Sequence, residues 1–571
     1  MRGMRRAARS FLSRPLTIIA QDPTLGRGRS VLTAQIDVPA EKLAPGPRGA
    51  RVSVIDIDAS TDRLYEPSRT GLDGDPFLGV LDSEKLLTNP HFHAQNVYAI
   101  VMATLARFER ALGRRVSWAF PGHGHQLKIA PHAFQAANAF YSRRDEALLF
   151  GYFPGHRSRQ TVFTCLSHDI VTHETTHALL DGLRSRYNEL SSPDQAAFHE
   201  GFADVVALLS VFRLREVIDL AFEHSVPGLK GLIPVSELSP GKLRASTLFG
   251  LAEQMGDEMD ALRRSALRQS VALRPQDIDL GAAEFQEPHR RGEVFVAAML
   301  GTFINVWTRR LRPLLSPGVR YLDRARVVEE GASAADHLLT MAIRAIDYAP
   351  PVDLLFSDYF SAIMTADTAM YPDGGRYDYR KALDQTLRAY GISPAPTGTK
   401  DGLWRPQDRA VSFDAVHFET MQRDPDEVFR FVWENRAALG LDPDAYTYVE
   451  SVRPSLRLAE DGFALRETLV EYVQILDIRA GELRRWGVRR PDGMPDWQEV
   501  RLYGGGTLLF DEYGRLKYNI ANSVRSPKQN RRLQYLWETG AFSPQVVLER
   551  RFSRLHRRRA AAESNVGAEV W

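Results

Sequence analysis

Two pairs of metal-ligating side chains, each spaced i, i+4 and separated by a short polar break, constrain this chain of 571 residues more than any other feature. The first is His173-Glu174-Thr175-Thr176-His177, and the second opens at Glu200 and closes at Asp204. On a helix, residues four apart project from one face about one turn apart. His173 and His177 can therefore hold one zinc ion between two ring nitrogens. Glu174 sits beside the first ligand but faces elsewhere, where it can take a proton from a metal-activated water. A catalytic zinc needs a third protein ligand and an open fourth position. Glu200 is the candidate ligand, which leaves Asp204 to accept the second ring N–H of a ligand histidine. The break at 188–194 supplies Ser192 as a helix cap and Pro193 as a first helical residue. The fold must therefore bring together the faces of two consecutive helices, over 164–183 and 195–212.

Hydrophobic residues at 44% and charged residues at 25% describe a globular chain with ample material for a core. Its length suggests roughly four domain-sized units. A net charge of +2 gives no global case for nucleic acid or membrane binding. The single cysteine, Cys165, excludes an intrachain disulfide and reads as a buried structural thiol. No run approaches the length of a membrane span. In the basic stretch 1–30, Arg9 and Arg14 interrupt the apolar residues. It reads as a disordered arm rather than a secretory signal, and the expectation is a cytoplasmic protein.

Along the chain, Arg51-Val-Ser-Val-Ile-Asp-Ile-Asp58 is β-branched and reads as a strand, and 59–90 reads as loop. Apolar residues from Val97 to Leu112 recur at helical spacing and predict a long amphipathic helix over 91–113. Short strands follow at 126–129, 138–141 and 146–150, before the two helices that carry the metal pairs. Residues 213–290 are mixed. Amphipathic helices are then predicted over 294–311, 332–348, 356–370 and 378–390. A shift to Ser, Pro, Thr and Gly at 392–410 marks a domain boundary. Beyond it, helical segments are predicted over 413–439 and 466–478, and the stretch from Gly504 to Ile520 reads as a hairpin.

Several of these stretches match one family. Asn138-Ala-Phe-Tyr141 is followed by Leu149-Phe-Gly151, Asp169 stands four residues before His173, and His177-Ala-Leu-Leu-Asp181 follows. Together they resemble the thermolysin-like zinc metallopeptidases of the gluzincin group, over roughly residues 90–395. Tyr187, ten residues after His177, falls within one residue of the family's catalytic tyrosine. Leu243-Arg-Ala-Ser246 and His289-Arg-Arg-Gly292 are similar to two further family segments, and 360–371 with 382–391 to its closing helices. The resemblance implies one zinc per chain on His173, His177 and Glu200, with Asp204 behind His173 and Glu174 as general base. It implies that His289 and Tyr187 stabilise an oxyanion. It further implies that Asn138 and Ala139 pair with an extended peptide, and that Arg244 holds a substrate carbonyl.

The chain departs from that family in places. His199 precedes Glu200 where the family has Asn, so it either orients His177 or adds a polar group to the site. Asp169 matches a calcium ligand of the family, but Val211 stands where an acidic partner belongs. No double calcium site is therefore expected, and Asp169 reads as a helix-start charge. The pro-segment and signal typical of the family are missing, which favours an intracellular peptidase of restricted range. Residues 396–571 match no known pattern. Their basic end, 549–559, reads as a solvated tail, with a nucleic-acid or acidic partner the lesser reading.

The expected fold is α+β. A two-lobed thermolysin-like zincin domain has a mixed β/α lobe over 31–165 and a mainly helical lobe over 166–395. An α+β domain over 396–571 follows, and selects the substrate or occludes the cleft. The expected activity is hydrolysis of internal bonds in peptide or protein substrates. One alternative is a gluzincin aminopeptidase, whose Gly-x-Met-Glu-Asn segment has no counterpart here. Another is a catalytically silent zinc-bearing scaffold that binds a partner through its C-terminal domain.

Overall fold

The computed structural model describes residues 13–20, 31–69, 74–120, 125–155, 161–220, 222, 231–245, 270, 272–375, 377–459 and 461–542. Strands β1 (Ser13–Ile19) and β2 (Thr33–Pro39) pair antiparallel. The expected disordered arm is thus corrected for these residues: Leu16, Ile18 and Ile19 are fully buried and the strand is anchored by its apolar side chains. Residues 1–12 and 21–30 lie outside the described residues. Strand β3 (Val52–Val54) leads into the two-residue strands β4 (Ile57–Asp58) and β5 (Arg63–Leu64). Helix α1 (Pro90–Leu112) begins at an Asn89 side-chain cap and ends on Gly113 at φ 68°. There a left-handed residue closes the last turn, and glycine adopts it without strain. Strands β6 (Leu127–Phe134), β7 (Ala139–Ser142), β8 (Ala147–Pro154) and β9 (Thr161–Phe163) complete a sheet of order β3-β6-β8-β7, with β9 on β8. Strands β3, β6 and β8 run parallel, and β7 is an antiparallel edge.

Helices α2 (His168–Leu183) and α3 (Pro193–Phe212) follow as the spacing required. Ser192 caps α3 by accepting the Gln195 N–H at 3.1 Å. Strand β10 (Leu232–Pro234) and helix α4 (Pro288–Leu311) come next, then β11 (Tyr321–Asp323), which pairs with β10. Helices α5 (Arg324–Ala345), α6 (Phe356–Met370) and α7 (Tyr379–Ala389) complete this part. Helices α3 and α4 cross at a pair of glycines. A Cβ on Gly201 would lie 3.1 Å from the Gly292 carbonyl, and one on Gly292 would lie 3.0 Å from the Ala197 carbonyl. Only bare backbones approach so closely, and the crossing sits one residue from Glu200. Around it pack Phe198, Phe202, Phe295 and Tyr359, with ring centroids 4.8–6.1 Å apart.

The last part holds helix α8 (Pro425–Glu434), strands β12 (Tyr446–Leu458), β13 (Ala464–Arg479), β14 (Glu499–Asp511) and β15 (Leu516–Asn522), and helix α9 (Lys528–Glu538). The strands form an antiparallel sheet in chain order. The helix expected over 466–478 is corrected: it is the central strand β13. Both its faces are covered from Glu467 to Gln474, so the alternation that marks a half-exposed strand is absent. Leu469 and Leu509 turn into the main core, whereas Val470, Leu508 and Phe510 turn into a smaller core with Val428 and Phe431 of α8. The expected hairpin at 504–520 is β14 and β15.

Buried ion pairs fasten this sheet to the helices. Arg457, 1% exposed, binds Glu467 at 2.5 Å and also reaches Asp347, which Arg114 holds through two contacts of 2.6 Å. Arg453 donates to the Leu183 carbonyl at 2.9 Å, and Arg184 pairs with Glu471, so β12 and β13 grip the C-terminal end of α2. No helix among the described residues is long and apolar enough to cross a membrane.

Candidate metal centre

The two histidines converge as their spacing requires. His173 Nε2 and His177 Nε2 lie 2.8 Å apart, and each is 3.5 Å from a Glu200 carboxylate oxygen. His173 Nδ1 lies 2.8 Å from Asp204 Oδ1. A carboxylate only accepts, so Nδ1 carries the ring proton and Nε2 presents its lone pair towards His177 and Glu200. All four side chains are buried. Zinc–ligand bonds of about 2.0–2.2 Å in a tetrahedron separate neighbouring ligand atoms by about 3.3 Å. The separations of 2.8 and 3.5 Å bracket that value, and the two-nitrogen, one-oxygen donor set suits zinc. These residues fit the ion.

Glu174 is fixed by the sheet. The Tyr141 N–H of β7 donates to Glu174 Oε2 at 3.0 Å. Because β7 pairs with β8 alone among the described residues, its outer edge turns to α2, and the outward amides fall on alternate residues. Ala139 N–H, on that same edge, donates to the Asn138 side-chain oxygen at 2.8 Å. The Asn138 carbonyl instead accepts the Gly151 N–H at 2.8 Å, which holds the start of the strand to β8. A second clamp lies two turns further along α2. Asp181 accepts the Tyr141 hydroxyl at 2.9 Å and Arg143 at 3.1 Å. The Asp of the His-Ala-x-x-Asp pattern is therefore a strand anchor, and Glu174 meets an edge that could pair with an extended chain.

The remaining sequence-derived residues divide. His199 is buried and stacks on His177, with ring centroids 4.6 Å apart and planes at 10°. One of its nitrogens lies within 4.8 Å of ligand atoms of His177 and Glu200, so it belongs to the site. Asp169 accepts the Ser167 hydroxyl at 2.9 Å in the first turn of α2, the charge position expected of it. His289 stands in the first turn of α4, one turn before Gly292, and its Nδ1 lies 2.7 Å from Glu287 Oε1. Burial works to raise the Glu287 carboxyl, but His289 and two backbone N–H groups outweigh it and hold it at about 2. Further along the same helix, burial first and then the neighbouring Glu287 and Asp204 charges push Glu293 up to about 7 against the pull of Arg290.

Two expectations are corrected. Tyr187 is 1% exposed and its hydroxyl donates to the Pro350 carbonyl at 2.7 Å, so it is a packing residue beside Phe198 and presents no donor to a cleft. Arg244 ends the short helix Pro240–Arg244 and lies near Gly301 of α4. Gly301 is nine residues beyond Gly292, about 13 Å along the helix axis from the crossing beside Glu200. It is not brought to the metal ligands. Ser246 and the basic stretch 549–559 lie outside the described residues.

Sequence reasoning missed the Tyr141 amide, whose only signal was its place in the Asn-Ala-Phe-Tyr strand. It also missed a second buried cluster, His93, His132 and Cys165, which no local spacing announces. No protein-family model matches the chain, and no curated protein matches it.

Proposed function

We propose that this chain is a zinc-dependent endopeptidase with a thermolysin-like two-lobed catalytic region. The observation that carries the reading is the convergence of His173, His177 and Glu200 beside a Glu174 carboxylate held by the outer edge of β7. His173, His177 and Glu200 hold the metal. Zinc, when bound, supplies Lewis acidity that sharpens water as a nucleophile and polarises a carbonyl. Asp204 fixes the His173 tautomer. Glu174 takes a proton from water and returns it to the leaving amine, as a general base and then a general acid. An extended peptide adds to the β7 edge at Asn138 and Ala139, displacing the Asn138 side-chain oxygen from the Ala139 N–H, while the Tyr141 N–H stays on Glu174. Glu287 holds the His289 ring through Nδ1 at 2.7 Å, which leaves Nε2 as the atom this histidine would turn to an oxyanion.

The C-terminal sheet supports the zinc helix through Arg453 and the Arg184–Glu471 pair, so a buttressing role fits it better than free substrate selection. The test is zinc content by elemental analysis, with casein or peptide-library cleavage by wild type and Glu174→Gln. Metal retained in both, with cleavage lost only in the variant, supports the peptidase. Metal bound but no cleavage of any substrate by the wild type supports a silent scaffold instead.

A further inference from the structure

A second set of ligand atoms lies among α1, β6 and the turn before α2. His93 projects from α1, His132 from β6, and Cys165 from the single turn Thr164–Leu166 that precedes α2. His93 Nδ1 and His132 Nε2 are 2.7 Å apart, and a ring nitrogen of each histidine and the Cys165 sulfur all lie within 4.8 Å of one another. All three residues are 0–2% exposed.

The outer nitrogens are committed. His93 Nε2 lies 3.0 Å from the Leu87 carbonyl, and His132 Nδ1 lies 2.9–3.0 Å from both oxygens of Asp56. A carbonyl and a carboxylate only accept, so each outer nitrogen must carry a proton. Two neutral imidazoles bring two protons, and both are used on the outside. The facing pair, Nδ1 of His93 and Nε2 of His132, is left as two lone pairs at 2.7 Å. Such a contact repels unless a cation or a third proton lies between. The rival arrangement is a charged His132 paired with Asp56.

We propose that His93, His132 and Cys165 form a second metal site, for a borderline-soft transition-metal cation of the zinc class, distinct from the His173–His177–Glu200 centre. Two imidazoles and a thiolate are the donors such ions take, and a carboxylate or carbonyl behind each imidazole is the arrangement that fixes a ligand tautomer. Cys165 binds as the thiolate and gives up one proton on loading. The rings of Phe163 and Tyr65 close over the cluster, at 4.7 Å from His93 and 5.0 Å from His132 respectively. Both also line a surface pocket of about 590 Å³ with Asp58 and Tyr152. A loaded site ties α1, β6 and the turn that starts the zinc helix at one point. It is a staple for the lobe that presents β7.

The experiment is titration of the full chain, stripped by chelator, with cobalt(II). The chain has a single cysteine and the His173–His177–Glu200 centre contains no sulfur. A thiolate-to-cobalt charge-transfer band in the near ultraviolet therefore reports this site alone. The expected result is two equivalents of cobalt per chain, the band growing with one of them. Cys165→Ala should abolish the band and one equivalent, whereas Glu200→Gln should leave the band intact and remove only sulfur-free binding. Cobalt saturation of the wild type without the band would overturn the proposal in favour of the protonated His132–Asp56 pair, whether or not the variants fold. Loss of the sulfur-free equivalent alone would count against the catalytic centre and leave this site standing.

Discussion

Replacing Asp204 by alanine removes the carboxylate that takes the His173 Nδ1 proton at 2.8 Å. With that partner gone, the ring can exchange tautomers and rotate, and the Nε2 lone pair is no longer fixed towards His177 and Glu200. Groups that orient a ligand imidazole in this way are worth about 10- to 100-fold in metal affinity. That range is about 1.4–2.7 kcal/mol. Asp204 is 4% exposed, so water cannot substitute well for it, and the upper end of the range is expected. Asparagine keeps an oxygen that accepts Nδ1–H but loses the charge, so Asp204→Asn should weaken binding by only about 10-fold. The assay is zinc competition against a chromogenic chelator, with cleavage measured at saturating zinc. Under that condition kcat should largely recover in both variants, because neither Glu174 nor the β7 edge is altered. Zinc bound by Asp204→Ala as tightly as by wild type would refute the role. An asparagine variant worse than alanine would refute the tautomer argument in particular.

Gly201→Ala would place a Cβ 3.1 Å from the Gly292 carbonyl and 3.2 Å from Phe295 Cδ1, so overpacking should cost about 1–3 kcal/mol in urea unfolding and weaken zinc binding through Glu200. An unchanged midpoint would show that the crossing is looser than it is drawn. Truncation after residue 395 uncovers the core beneath Leu469 and Leu509 and leaves Asp347 without Arg457 and Arg184 without Glu471. The truncated chain should fail to fold cooperatively, and a soluble product with a sharp melting transition would contradict this. The Glu293 carboxyl titrates at about 7, above its ordinary value of 4.5, because burial penalises its charge. Its contribution to stability is complete below about 4.5 and lost as pH rises through about 7. Glu293→Gln should flatten the fall in melting temperature between pH 5 and pH 8 (a range of roughly that span), and a slope equal to wild type would refute the assignment.

The part of the molecule legible in the sequence is the part written in short-range periodicity. His173 and His177, and then Glu200 and Asp204, are i, i+4 pairs, and a helix places such residues together without help from the fold. Ser192 and Pro193 announce the start of α3 by their own chemistry, and the tertiary structure leaves that start where they put it. Strand β13 shows the opposite case. Leu469, Val473 and Leu476 recur at helical spacing, yet the strand is sandwiched between two cores, so the even and odd residues are apolar alike and no alternation survives. Strand β1 was obscured by the arginines around it, although its own apolar side chains are the ones that bury.

The limits are sharpest where function depends on residues far apart in the chain. The roles of Tyr187 and Arg244 rest on resemblance to short family segments, and such segments do not say that the fold points these side chains at Pro350 and Gly301. His93, His132 and Cys165 carry no mutual spacing, because a helix, a strand and a turn each contribute one of them. What identifies the cluster is proton counting: with both rings neutral, two committed outer nitrogens leave two lone pairs facing each other beside a sulfur. The same counting applies at the His173–His177 pair, where Asp204 takes the Nδ1 proton of His173 and leaves the Nε2 lone pair turned towards His177 and Glu200. In both places the acceptor behind the imidazole, rather than the imidazole itself, decides what the facing nitrogen can bind.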